Sequence, residues 1–266
     1  MRNKDEAVRA IVKDAFRTFI GDHLIEIHHK ATGAFVSAFV LKSFRDSSIN
    51  GSNLAEADLR GHDFKNAFTQ AVNFAGADLR GVCMRGGNSA EADFKGADLR
   101  QADLTSRNLW GADMRNANME EALLVGTVLC GVNLSGANLR KANLFGASGD
   151  GQITLVRAIL SKANCEETQL YNANMENCDL EGAILRTANL TGANLQGANL
   201  RRADLRSKDQ PKGALLSGET HLQGADLSTA VLDGARLDGA IYDHDTKWPP
   251  GFDPGSAGAR LKVSPS

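Results

Sequence analysis

Residues 92–104 read ADFKGADLRQADL, in which a large apolar residue recurs at every fifth position. Of the 19 positions from 54 to 144 taken in steps of five, only Thr69 and Ser89 are not Leu, Phe or Met. The residue before each is Asp or Asn in 15 of the 19 cases, and the one before that is usually small. A period of five matches neither a helix nor an ordinary strand, whose apolar residues recur at 3.6 and 2. A short internal repeat therefore decides the architecture.

The repeat occupies three blocks, from Ser47 to about Gly146, from 155 to 205 and from 222 to 242. The stretches between the blocks, 146–154 and 206–214, are rich in Gly or in charged residues with a Pro. Such stretches are typical of loops. Because the repeat resumes after each one, we expect a single solenoid over 47–243.

The unit resembles the A(D/N)LXX motif of the pentapeptide-repeat family, as in 57–61 (ADLRG), 97–101 (ADLRQ) and 193–197 (ANLQG). The resemblance covers roughly three-quarters of the chain. It implies an all-β solenoid, a right-handed quadrilateral β-helix with four units per coil and therefore about nine coils. The small residue and the large central residue then point inward, while Asp or Asn bonds nearby backbone at the corner. Coils about 4.8 Å apart give a rod on the order of 40 Å long.

Both ends of the chain are predicted to cap the rod, because an open coil is an edge that could recruit another chain. In 1–46, apolar residues follow helical spacing from Val8 to Ile20 and again from Leu24 to Phe39. This spacing predicts an N-terminal α-helical cap.

The C-terminal cap is predicted over 244–266. The segment 242–254, YDHDTKWPPGFDP, is similar to the tail of many cyanobacterial and chloroplast-lumen pentapeptide-repeat proteins. We interpret it as an aromatic and proline-rich lid in which Tyr242, Trp248 and Phe252 close the last coil.

Composition narrows the classes of partner. The 266 residues carry 30 basic and 32 acidic side chains, a net charge of −2 with no clustered basic excess, so no nucleic-acid partner is expected. No apolar run approaches the roughly 20 residues that span a bilayer, and the N-terminus lacks a signal-like apolar stretch. We expect a soluble, cytoplasmic protein, or a thylakoid-lumen protein if a leader was removed.

The chemistry-bearing residues do not form a catalytic or metal-binding pattern. Disulfide partners would have to lie about one coil apart, and the four cysteines show no such pair, which favours free thiols at Cys83, Cys130, Cys165 and Cys178. The histidines show no ligand spacing. No nucleophile elbow or phosphate loop is present. We therefore expect no catalytic residue, no metal, no cofactor and no enzyme activity.

One outward column is rich in arginine. Four units per coil place Arg60, Arg80, Arg100 and Arg140 on one face, interrupted by Glu120. The column is either a basic stripe for an anionic partner or, since Asp residues run beside it, a self-neutralising ladder.

A second outward feature is apolar and falls on two adjacent faces. It consists of Trp110, Leu123, Val125, Val128, Cys130 and Phe145. Contiguous exposed apolar surface usually marks a contact site, and Trp is a favoured anchor. Alternatively, the 146–154 loop or the N-terminal helices cover these residues. The sequence leaves both readings open.

The function that these features favour is a non-catalytic protein–protein interaction scaffold or a regulatory binding protein. The family resemblance adds the alternative of a DNA mimic that binds and protects gyrase, although the charge of −2 and the arginine column are unlike a strongly acidic surface. A dedicated inhibitor of one enzyme or receptor is a further alternative. The partner is a protein in each case, and self-association stays open.

Overall fold

Pairing between residues twenty positions apart organises the repeat into coils. Asp58 pairs with Asp78, Asp78 with Asp98, and Asp98 with Asn118, each through a parallel bridge of a single residue. One coil therefore takes four five-residue units, which is a β-helix-like arrangement. The computed structural model describes residues 24–41, 43–149, 152–206, 214–217 and 219–262.

Each unit of a coil forms one face of the rod, and the faces follow one another along the chain in the order A, B, C and D. Each face is defined by its bridge residues, which directly precede the central residues of the units. In the middle of the rod they are Phe68, Asn88, Asn108 and Val128 on face A; Asn73, Asp93, Asp113 and Asn133 on face B; Asp78, Asp98, Asn118 and Asn138 on face C; and Cys83, Asp103, Leu123 and Asn143 on face D.

Most described units turn at a left-handed residue. The amide of Ala57 donates to the carbonyl of Leu54 at 3.2 Å, and Glu56 between them has a φ of 56°. A positive φ at the third residue is the requirement of a type II turn, which favours Gly and tolerates Asn. The predicted bonding of Asp to nearby backbone is confirmed at Asp58, whose Oδ1 accepts the amide of Arg60 at 3.2 Å.

The inward-facing side chains fill the rod. Leu99, Leu139 and Leu195 are completely buried, and the alanines two residues before them are buried as well. Phenyl rings also stack from coil to coil, as between Phe74 and Phe94, whose centroids are 4.9 Å apart. Each buried leucine contributes about 1.5 to 3 kcal/mol to folding. Side chains at fivefold intervals therefore converge on one axis.

The described part of the N-terminal region is a β-hairpin, and the helix predicted from Leu24 to Phe39 is wrong. Strands β1 (Leu24–His28) and β2 (Phe35–Val40) pair antiparallel. Both strands are rich in β-branched and aromatic residues, which favour strands, and Gly33 turns the chain with a φ of 66°. The predicted helix from Val8 to Ile20 lies outside the described residues.

The predicted loop at 146–154 is small in the structure. Ser148 pairs with Val128 on one side and with Gln169 on the other, and Thr154 pairs with Asn133. The coil spacing rises from 20 to 21 residues here, so the described part of the segment stays in the wall of the rod. In the second predicted loop, residues 207–213 lie outside the described part of the chain.

The C-terminal segment packs against the last turns of the repeat. Strand β3 (Ile241–Tyr242) pairs in parallel with β4 (Arg260–Leu261). The ring of Trp248 stacks on Phe252 with centroids 5.3 Å apart and meets Tyr242 edge-on at 5.5 Å. All three rings are partly buried against the core.

Candidate protein-binding surface

The six apolar residues singled out in the sequence lie on faces A and D, which adjoin because unit 122–126 runs directly into unit 127–131. Trp110 is 52% exposed and Leu123 is 41% exposed. The other members, Val125, Val128, Cys130 and Phe145, are half-buried. The structure thus places the predicted residues on adjoining faces and leaves Trp110 and Leu123 accessible to solvent.

Backbone hydrogen bonds fix these residues on both sides. The amide of Trp110 donates to Asn108 Oδ1 at 3.0 Å, and its carbonyl accepts the amide of Glu91 at 2.8 Å. The amide of Phe145 donates in the same way to Asn143 Oδ1 at 3.1 Å. Because both backbone groups of Trp110 are bonded, its side chain is displayed from a rigid wall rather than from a mobile loop.

The 146–154 segment, one of the two segments considered as a cover for this surface, does not cover it in the described residues. Ser148 belongs to the wall itself, and its carbonyl oxygen lies 3.9 Å from Cys130 Sγ. Residues 146–149 and 152–154 therefore do not fold over Trp110. The other cover, the segment before Leu24, lies outside the described part of the chain.

The arginine column on face C is paired with aspartates. Arg60, Arg80 and Arg100 each place Nη2 at 2.6 Å from the Asp two residues before, and Arg60 Nε also lies 3.4 Å from Asp78 in the next coil. The hydrogen bond from Arg60 lowers the pKa of Asp58, and the bond from Arg80 lowers the pKa of Asp78. The part of this column from Arg60 to Arg100 therefore has little net positive charge with which to bind an anionic partner.

The column changes character toward Arg140. Glu120 stands in the arginine position of its coil, and the amide of Arg140 donates to Asn138 Oδ1 at 3.1 Å. At the neighbouring corner, Lys141 Nζ lies 2.8 Å from Glu121 Oε1 of the preceding coil. Charges of both signs alternate here, so the four predicted arginines do not form one continuous basic stripe.

Sequence reasoning missed a buried arginine beneath face A. Arg107 occupies an inward position that is usually Ala, and it is completely buried. All five of its N–H donors are used, which is the full capacity of a guanidinium group. Nε donates to Ser89 Oγ at 2.6 Å, Nη1 to the carbonyls of Met84 at 2.9 Å and Gly86 at 2.8 Å, and Nη2 to the carbonyl of Ala67 at 3.2 Å and to Thr69 Oγ1 at 2.8 Å.

Two sequence signals point to this cluster. Thr69 and Ser89 are the two exceptions to the fivefold rule, and both occupy the central position of face A in consecutive coils. Their hydroxyl oxygens lie 2.6 Å apart, directly within reach of Arg107. Burial lowers the pKa of Arg107 to about 9, which still leaves it charged at neutral pH. The cluster lies inside the rod and holds the wall behind Trp110 in place.

Three further titratable side chains, Cys165, Cys178 and His62, are buried or half-buried in the protein. Burial raises the pKa of Cys165 and Cys178 to about 12, so these thiols are unreactive at neutral pH. Half-buried His62 packs edge-on against Phe44 at 5.4 Å, and desolvation lowers its pKa. Among the described residues, no group of three or more His, Cys, Asp or Glu side chains is placed to hold a metal ion.

Comparison with protein families gives a match over most of the repeat. The model for pentapeptide repeats matches in eight copies, which together cover residues 43–148, 152–206 and 218–241. The chain belongs to the pentapeptide-repeat family. A search of curated protein sequences found no significant match.

Three solved structures illustrate the relatives of this pentapeptide-repeat protein. HetL, involved in heterocyst differentiation regulation in the cyanobacterium Nostoc sp. strain PCC 7120, is 31% identical over 82% of this chain and 86% of its own, with a TM-score of 0.33. The protein alr5209, also from Nostoc PCC 7120, is 42% identical over 41% of this chain and 84% of its own, with a TM-score of 0.24. AT2G44920 from the Arabidopsis thaliana thylakoid lumen is 20% identical over 61% of this chain and 71% of its own, with a TM-score of 0.25.

Two of these three proteins are cyanobacterial and one is from the thylakoid lumen. In the ranges that the structure describes, no helix has both the length and the apolar character needed to cross a membrane.

Proposed function

We propose that this protein is a non-catalytic binding rod that docks a protein partner on the surface around Trp110. The observation that carries the proposal is the exposure of Trp110 and Leu123 on a wall whose backbone is bonded on both sides. Tryptophan is enriched among the few residues that dominate binding energies. An exposed apolar cluster on an otherwise polar surface is most simply explained by a contact that buries it.

The finer architecture belongs to the same proposal. We infer a right-handed quadrilateral rod of about nine coils, closed at one end by the aromatic lid. Supporting this are the bridges between residues 20 or 21 apart and the packing of Tyr242, Trp248 and Phe252. A solenoid whose interior is filled has outer faces for recognition but little room for a catalytic cleft, which favours a binding role over an enzymatic one.

We propose that face C serves stability and solubility rather than recognition. Its arginines are exposed and already paired with Asp side chains in the same coil or the next. Exposed ion pairs contribute little individually, yet they keep a long surface polar and well hydrated.

The cytoplasm is the proposed compartment, or the thylakoid lumen after removal of a leader. The half-buried thiols of Cys83 and Cys130 are free, which suits reducing surroundings, while the tail similarity supports the second setting.

The test compares partner capture by three immobilised forms of the full chain: wild type, Trp110→Glu and Ser161→Glu. Ser161 occupies the same position in its unit as Trp110, but on face C, so it is a matched control for the added charge. Crosslinking and mass spectrometry of native extract should recover the same proteins with wild type and Ser161→Glu, and lose them with Trp110→Glu. A captured set unchanged by Trp110→Glu, with the fold intact by circular dichroism, would contradict the proposal.

A further inference from the structure

We propose that face A is the dimerisation surface of this protein, and that its occupant is a second copy of the same chain. The inference deepens the proposed function, on which it rests, by naming one partner for the surface around Trp110. It is carried by a second property of the molecule, the distribution of charge among the four faces.

Face A has almost no charge before its last described coil, in which Arg236 Nε pairs with Asp238 Oδ2 at 3.4 Å. The outward positions of a unit are the residue before the central one and the two after it, and on face A Glu91 is the one charged residue among those described from Ser48 to Ser217. Asp150 lies outside the described residues. The other described outward positions are Ser48, Asn50, Gly51, Phe68, Gln70, Ala71, Asn88, Ala90, Asn108, Trp110, Gly111, Val128, Cys130, Gly131, Ser148, Gln169, Tyr171, Asn172, Asn189, Thr191, Gly192, Leu215 and Ser217.

The opposite face is very different. Face C carries the Asp and Arg ladder, and charged residues continue to Glu181 and Arg201. A rod exposed equally to solvent on all sides has no physical reason to concentrate its charge on one face and remove it from the opposite one. Depletion of charge at the centre of a surface is the compositional mark of an interface.

Apolar side chains stand out from this uncharged surface. Phe68 is 50% exposed and Trp110 is 52% exposed, and Val128 lies between the coils of Trp110 and Ser148. Side-chain amides on this face are held by hydrogen bonds within the protein: Asn108 Oδ1 accepts the amide of Trp110 at 3.0 Å, and farther along the face Asn189 Nδ2 donates to Gln169 Oε1 at 3.2 Å. Two such faces could therefore meet without rearranging the backbone.

The absence of charge is what suits a second copy. In a two-fold dimer the same patch is present on both sides, so a patch with charge of one sign would repel itself. From Ser48 to Ser217, the part of face A proposed for the contact, Glu91 is the one charged residue at a described outward position. An anionic ligand such as nucleic acid would find no cation on this stretch, because every described outward position from Ser48 to Ser217 lacks Lys and Arg.

The size of face A fits a reversible dimer. Eight successive bridges join Ser48 to Leu215, which spans about 40 Å at 4.8 Å per coil. A side five residues wide then gives on the order of 600 Å² per copy, from the rise of about 3.3 Å per residue. The total of about 1,200 Å² is at the lower limit of specific interfaces, so we expect a dissociation constant in the micromolar range.

Sedimentation of the full chain from about 1 µM to about 500 µM tests the inference, since this range brackets micromolar dissociation constants. Wild type should shift from monomer to dimer, and Trp110→Glu should weaken the dimer at least about thirtyfold, the effect of losing a hot-spot residue. Ser161→Glu adds the same charge on face C and should dimerise as wild type does. A wild type that stays monomeric throughout, or equal weakening by both variants, would overturn the inference.

The dependence of dimerisation on ionic strength is an independent test, because it does not require the substitution of an apolar side chain. The wild-type dimerisation constant should change less than about twofold between 50 and 500 mM NaCl, because the buried face has little charge to screen. Gln70→Glu adds a charge to exposed Gln70 on face A, and its dimer should be weaker at low salt and recover at high salt. A steep salt dependence of the wild type would place the contact on a charged face and refute face A.

The two proposals can fail separately. A monomeric wild type that still captures a partner lost on Trp110→Glu substitution would refute the dimer and support the binding role. A dimer lost on the same substitution, with capture of other proteins unchanged by it, would support the dimer and contradict docking of another protein there.

Discussion

Arg107 is buried, and none of the acceptors of its five N–H groups is a carboxylate. The cost of burying its charge is therefore offset only if all five N–H groups find an acceptor. Three carbonyls and two hydroxyls from the two preceding coils accept its donors. The Met84 carbonyl, which in other units accepts the amide three residues on, accepts Nη1 of Arg107 instead. The guanidinium group thus replaces a turn hydrogen bond and connects three coils through one side chain.

We expect Arg107→Ala to lower the free energy of unfolding by about 3 kcal/mol or more, because it strands several buried acceptors and opens a cavity. Arg107→Lys should be intermediate, since an ammonium group offers three donors instead of five. Chemical denaturation measures both. Arg115→Ala, which removes an exposed arginine paired with Asp113, is the matched control and should cost less than about 1 kcal/mol. Equal losses at the two arginines would show that the buried network contributes nothing.

Thr69 and Ser89 show why an exception within a repeat is informative. A hydroxyl at a position that is otherwise Leu, Phe or Met must find a partner inside the rod, since burying an unsatisfied polar group is costly. Here the partner comes from Arg107, 38 and 18 residues away in sequence. The breaks in the pattern were visible in the sequence, but their common partner was not.

At the scale of one element, the turn that closes each unit has two kinds of glycine. Gly61 has a φ of 76° and open space where a Cβ would lie. Gly87 has a φ of 71°, and a Cβ there would lie 2.3 Å from the carbonyl oxygen of Ala67 in the preceding coil. Gly61 is therefore required only for its left-handed backbone conformation, whereas Gly87 is also required because a side chain there would clash with the preceding coil.

We therefore expect Gly87→Ala to destabilise the protein more than Gly61→Ala. The left-handed conformation costs an alanine about 1 to 2 kcal/mol at either position. At Gly87 the clash with backbone adds to this and disturbs the turn that bonds to Arg107. Thermal unfolding of the two variants tests the difference. If both variants melt at the same temperature, the close approach of the coils at Gly87 is not limiting.

The paired column on face C predicts a dependence of stability on pH. Asp78 is nearly buried and bonds to Arg80, and this bond lowers its pKa from the ordinary value. A carboxylate whose folded-state pKa is lowered stabilises the fold above its unfolded pKa, about 3.9, and loses that contribution as the pH falls through the folded pKa.

Asp78→Asn should accordingly lower the free energy of unfolding by about 1 kcal/mol at pH 7. The gap between this variant and wild type should narrow as the pH falls below about 3.9, where Asp78 of the unfolded wild type protonates, and close once the pH has passed the lowered pKa of Asp78 in the folded state. Denaturation curves recorded from pH 7 down to about 2 measure the gap. Asp245→Asn, at an exposed position outside the column, should show no such gap; a gap of constant size for Asp78→Asn would argue against the ion pair.

At the scale of the whole molecule, the backbone of each coil hydrogen-bonds to the coil before it and the coil after it. The amide of Leu79 donates to the carbonyl of Asp98, and the amide of Leu99 donates to that of Asn118. Stability in such a structure is approximately a sum of contributions from each coil and its neighbours.

Leu99→Ala should therefore loosen the rod locally. The loss of a completely buried leucine costs about 2 to 5 kcal/mol, and hydrogen exchange should accelerate most in the coils that contain Leu79, Leu99 and Met119. Amides near Leu195, about five coils away by the twenty-residue spacing, should keep most of their protection. Uniform acceleration along the whole chain would indicate one cooperative unit instead.

The sequence by itself determined the repeat architecture of this protein, because a strict five-residue period of buried side chains is compatible with few backbones and each unit carries its own turn residues. It also located the apolar surface, since four units per coil map sequence position onto a face. It did not determine the N-terminal hairpin, where helical spacing from Leu24 to Phe39 competed with β-branched residues and the turn at Gly33, and the strands formed. Only the tertiary structure decided the partners of Arg107 and kept the 146–149 segment in the wall, because both depend on contacts between residues far apart in the chain.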